Sequence, residues 1–169
     1  MPGNSAPATR SWIAARAAEE LARLGDNTAA LRALERAFTA FDFARPRTER
    51  VWTGFFTANR LGGLTMSTYM TLGHRDATAA ADSLLASLSP TENKARALAL
   101  ADLTTLAVRT KDFDRANALV NDAIDVTVRT EASLPRQRLL TLASTLTTSS
   151  DPGATSPLRN HIVSTLRHR

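Results

Sequence analysis

The stretch LARLGDNTAALRALERAF, Leu21 to Phe38, decides how the rest of the chain reads. Apolar residues recur at helical spacing on both sides of Gly25-Asp26, so the pattern is helix, tight turn, helix. Gly25 supplies the positive φ needed just past a helix C-terminus, and Asp26 or Asn27 can cap the helix that follows. Upstream, residues 9–24 form an amphipathic helix, with Trp12, Ala15, Ala18 and Ala22 beside Ile13, Ala17, Leu21 and Leu24 on its apolar side. The helix after the turn is expected to bury Ala30, Leu31, Leu34, Phe38 and Phe41, leaving Arg32, Glu35 and Arg36 to water.

The same grammar extends along the chain. Residues 1–8, rich in Pro, Ala, Gly and Ser, read as a disordered lead-in, and residues 9–169 as a single helical domain. After the break at ARPRTER (44–50), a third helix is expected from Val51 to Leu72. Its LGGL (61–64) places two glycines mid-helix, which implies a kink or a close helix contact. Further helices are expected at Asp76–Leu88, Thr91–Thr110, Asp112–Arg129 and Arg136–Thr147. A loop, SSDPGATSP (149–157), then leads to a short closing helix, LRNHIVSTL (158–166).

Composition agrees with an all-α chain. Of the 169 residues 43% are hydrophobic but only 5% are aromatic, and valine and isoleucine form no alternating runs. Such small, unbranched side chains suit closely packed helices. Cysteine is absent, which removes disulfides, thiolate metal sites and a cysteine nucleophile. No run of 18 apolar residues and no signal-type segment occurs, so a cytoplasmic protein without a membrane span is expected. The net charge of +5 permits an acidic partner without requiring one.

Internal repetition sharpens the fold. RLGDNTAALRAL (23–34) and RTKDFDRANALV (109–120) share one spacing: a turn residue at Gly25 or Lys111, then a small residue five places on (Ala30, Ala116) and another twelve places on (Ala37, Ala123). A third junction, TLGHRDATAAADSL (71–84), keeps Gly73 but slips by one residue. Turn-to-turn separations are 48 and 38 residues, a loose period of the kind that stacked helical hairpins show. The expected architecture is an α-solenoid of three to four hairpins with a short C-terminal helix.

Trp12, Leu24-Gly25, Ala30 and Ala37, and again Phe113, Ala116 and Ala123, resemble the tetratricopeptide repeat pattern. More narrowly, LARLGDNTAALRALERAFTAFD, VWTGFFTANRLGGL with YMTLG, and RALALADLTTLAVRTKDFDRANALVNDAIDVTVRT resemble the C-terminal region of actinobacterial helix-turn-helix transcriptional regulators. Lys111 departs from the usual glycine, and the second hairpin is irregular. The resemblance implies the sensor or oligomerisation half of a regulator. The DNA-binding domain of such regulators is not in this sequence, so it would come from another chain, or the gene is a fragment.

Direct DNA reading is the alternative. A recognition helix offers polar and basic residues at its N-terminal end, whereas the helix after Gly25 begins DNTAAL, and no sequence-specific DNA binding is expected from it. His74, His161 and His168 form no paired-histidine motif, and no phosphate loop is present, so no catalytic residue, metal or cofactor is expected. A groove lined by the first helices of the hairpins is the better candidate. It would offer Arg16 and Glu20, then Trp52, Phe56, Asn59 and Arg60, then Arg96 and Asp102, to grip a peptide or protein partner. Aromatics at this spacing also serve as core. Self-association as a homodimer is the other expected contact.

Overall fold

The computed structural model describes residues 6–44, 54–89, 91–148 and 152–167. Among them are eight helices and no strand, so the protein is all-α. The helices are α1 (Pro7–Arg23), α2 (Asn27–Asp42), α3 (Ala58–Leu72), α4 (Ala77–Ser87), α5 (Asn93–Arg109), α6 (Phe113–Thr130), α7 (Ser133–Leu146) and α8 (Pro152–Leu166). By its internal contacts the chain divides into two compact units, residues 1–80 and residues 81–169, and α4 spans their border.

The opening stretch folds as a helical hairpin closed by backbone chemistry. Gly25 adopts φ +79°, its N–H donates to Ala22 O (3.1 Å) and the Asp26 N–H donates to Leu21 O (3.0 Å). The Asp26 carboxylate accepts from the Ala29 N–H at 2.9 Å and so caps α2. The α5–α6 junction repeats this arrangement. Lys111 takes φ 60°, its N–H donates to Val108 O (3.0 Å), the Asp112 N–H donates to Ala107 O (2.8 Å), and Asp112 caps α6 by accepting from the Arg115 N–H (3.1 Å). Lysine therefore occupies the left-handed position that glycine fills elsewhere. The small residues five and twelve places past each turn, Ala30, Ala37, Ala116 and Ala123, are fully buried. So are Ala15 and Ala101 ahead of the two turns.

In the first unit, α3 packs chiefly on α1 and less on α2. One cluster joins Ala15, Ala37, Phe56 and Leu61, and another joins Ala18, Ala33 and Leu34. The buried Ser11 hydroxyl crosses between the helices to donate to Ala37 O at 2.7 Å. In the second unit the α7–α8 pair lies on the α5–α6 hairpin, α7 against α5 and α8 against α6. Its core includes Leu100, Val120, Ile124, Leu139, Leu158, Ile162 and Leu166.

Several expectations need correction. The helix α2 is rotated from its expected orientation: Ala33 and Ala37 are buried with Ala30 and Leu34, while Leu31 and Phe38 are exposed. Close approach of α1 favours the side of α2 that carries alanines. Trp12 and Ile13 of α1, and Leu24 just past its end, are likewise exposed. Pro7 and Ala8 belong to α1 because proline suits the first helical position. The helix α3 starts at Ala58, since extended Thr57 caps it by accepting from the Arg60 N–H; Val51 to Thr53 lie outside the described residues. Likewise α8 starts at Pro152, and Thr155, Leu158, Ile162 and Leu166 form a buried stripe that begins within the expected loop.

The glycine pair of LGGL lies inside α3, which runs continuously from Ala58 to Leu72, and a Cβ added at Gly63 would meet no atom within 4 Å beyond its own helix backbone. Gly63→Ala should then stabilise the protein by about 0.5–1 kcal/mol through helix propensity and a less flexible unfolded chain. Urea denaturation would check this, and a loss of stability would mean that α3 needs its glycine.

Candidate functional site

The expected groove residues separate into three groups. Arg16 and Glu20 sit on the exposed side of α1, tied to each other's neighbours. Arg16 donates to Glu19, whose side chain is largely buried, and approaches Glu20 at 4.0 Å; Glu20 in turn accepts from Arg23 at 2.7 Å. These charges form a ladder along one helix, with each carboxylate already partnered.

Phe56, Asn59 and Arg60 lie at the start of α3. Phe56 is not a groove residue: it is buried in the core, edge-to-face with Phe41 at 5.9 Å and with Phe55 at 6.4 Å. Asn59 is half-buried and Arg60 is exposed. Among the described residues no carboxylate forms an ion pair with the Arg60 guanidinium. Trp52 lies outside the described residues.

Arg96 and Asp102 are in α5, in the other unit, and they have different roles. Arg96 is half-buried. Asp102 is 4% exposed and receives a hydrogen bond and ion pair from Arg138 of α7. Burial pushes the Asp102 carboxyl above its ordinary value, and the Arg138 guanidinium pulls it down without cancelling the shift. A carboxylate so enclosed joins α5 to α7 and is not offered to a groove.

What the sequence reading missed lies beside Phe56. Trp12 of α1 and Phe55, just ahead of α3, meet edge-to-face at 5.4 Å and 89°, yet they remain 37% and 45% exposed. Rings therefore run inward from Trp12 through Phe55 and Phe56 to Phe41. Two exposed aromatics packed on each other, one of them also on buried Phe56, present an apolar corner, with Asn59 and Arg60 following in the first turn of α3.

The chain matches no family model, no curated protein and no solved structure. Its function must therefore be read from its own residues. Among those described, no three His, Asp or Glu side chains gather as a metal site, and no helix is long and apolar enough to cross a membrane. A shallow hollow of about 330 Å³ lies on α7, lined by Ser133, Arg136, Gln137, Leu140, Thr141 and Ser144. Its arginine donates to Leu166 O at the end of α8, which leaves hydroxyls, an amide and a leucine along the wall.

Proposed function

We propose that the protein is a non-catalytic helical-repeat scaffold that captures a peptide or partner helix at the aromatic corner of its first unit. The observation that carries this is the exposed edge-to-face pair Trp12–Phe55. Rigid aromatic area costs little entropy to bury and is the usual anchor of a binding surface. Arg60 can pair with a carboxylate. The preferred ligand would then combine an apolar anchor with an acidic residue.

In the first unit α3 packs on α1, in the second α7 packs on α5, and the two Gly25- and Lys111-centred turns share one geometry. This supports the repeat-scaffold reading and, with it, the reading of a regulatory sensor or oligomerisation module working inside the cell.

Selection from a displayed peptide library on the purified full chain is the test. Enriched peptides should carry an aromatic or aliphatic residue near an acidic one. Trp12→Ala should weaken them by roughly tenfold or more, with Arg60→Ala acting mainly on the acidic ones. Equal binding by both variants, at unchanged helicity, would rule out this corner. Sequence-specific retention of duplex DNA at raised salt would instead support direct DNA contact, which electrostatics alone does not survive.

A further inference from the structure

The two matching hairpins differ in what happens to one edge of their first helix. Lys111 stands 86 residues after Gly25, and by that offset Ile13 and Ala17 of α1 correspond to Ala99 and Leu103 of α5. Ala99 and Leu103 are each only 1% exposed, so this edge of α5 is covered. In α1 the corresponding edge is less covered: Ile13 is 57% exposed and Ala17 is half-buried. Leu24, further along the same stripe, is 81% exposed, and its counterpart Thr110 is exposed as well. Ile13, Ala17, Glu20 and Leu24 follow one another at helical spacing, and Arg16 and Arg23 lie beside them.

This edge is complementary to itself. Turned antiparallel about a two-fold axis through the middle of the stripe, Ile13 of one α1 lies over Leu24 of a second copy. Ala17, small enough to let two helices approach, lies near the centre. The two apolar contacts are about 16 Å apart along the helix, from its rise of 1.5 Å per residue. Between them Arg16 exchanges its contact with Glu19 for Glu20 of the second copy, which Arg23 already holds within its own helix, and the symmetry makes that pair twice. A parallel arrangement would set like charges against each other. We propose that the α1 edge is a homodimer interface, occupied by the α1 of a second copy. This is independent of peptide capture at Trp12 and Phe55, which uses other residues.

Sedimentation velocity of the full chain over a wide concentration range tests it. The wild-type chain should shift from 18.2 kDa toward twice that mass as concentration rises. Leu24→Asp alters only an exposed side chain and should abolish the shift. Glu20→Arg makes the strip uniformly basic, and Arg16→Gln with Arg23→Glu makes it acidic. Each of these chains alone should stay monomeric, while their mixture should restore a heterodimer. Circular dichroism would establish that all are folded. A wild-type chain that is monomeric throughout, a dimer indifferent to Leu24→Asp, or charge variants that fail to pair when mixed would each overturn the proposal. Peptide binding at Trp12 is expected to persist in Leu24→Asp, so the two readings can fail separately.

Discussion

Arg138→Ala is expected to destabilise the protein by about 2–3 kcal/mol at neutral pH, and most of that loss should disappear in acid. Removing one partner of a buried ion pair strands the other charge, at a typical cost of about 3–5 kcal/mol. The lower figure follows because the Arg138 side chain is 38% exposed and screened by water, whereas Asp102 is enclosed. The pH dependence follows from the direction of the Asp102 shift. Its carboxyl is raised in the folded state above the ordinary 3.8. The stability linked to its bound proton is therefore full below 3.8 and is lost as pH rises through the folded value. Without Arg138 the folded value moves higher still, so the variant's deficit should open across the carboxylate range and widen upward. Urea titrations at acidic and neutral pH would show it; a deficit equal at both would mean that Arg138 acts through packing alone. Asp102→Leu in the Arg138→Ala background should recover much of the loss, because it removes the stranded charge.

Leu139→Ala should cost about 2–5 kcal/mol, the range for emptying a leucine-sized space in a closed core. Leu139 is fully buried on α7, in one cluster with Leu100 of α5, Val120 of α6 and Ile162 of α8. The cavity would thus loosen every helix of that core at once. Leu134, on the same helix but 49% exposed, provides the comparison, and Leu134→Ala should stay within about 0.5 kcal/mol of wild type. A thermal-melt series would separate the two. Similar small effects at both positions would show that the α7–α8 pair adds little to the second unit.

The turns were legible because their chemistry is local. Gly25-Asp26 and Lys111-Asp112 each set a left-handed residue and an acceptor side chain within a few bonds of the groups they satisfy. Small residues at fixed distances from those turns marked the contacts, and all four are buried. The facing of α2 was less legible. Ala30, Leu31, Ala33, Leu34, Ala37, Phe38 and Phe41 cover too wide an arc for periodicity to choose a side, and the choice falls to how closely α1 can approach. Phe56 and Asp102 were assigned to a groove because their types suit binding. Their burial depends on Phe41 and Arg138, which are 15 and 36 residues away in sequence. The Trp12–Phe55 contact is likewise long-range, and helical spacing placed Trp12 on the inner stripe.

The matched hairpins also say what kind of side chain their contacts accept. Ser11 corresponds to Ala97 and Ala18 to Thr104, and all four are fully buried. Polarity differs within each pair. The hydroxyls meet carbonyl oxygens, Ser11 across the hairpin at Ala37 and Thr104 one turn back at Leu100, so neither leaves an unsatisfied group. At Ser11 and Thr104 the backbone supplies the acceptor, so what each matched pair shares is modest bulk and not polarity. Substitution there should follow a size ceiling, with alanine, serine and threonine exchanging among themselves.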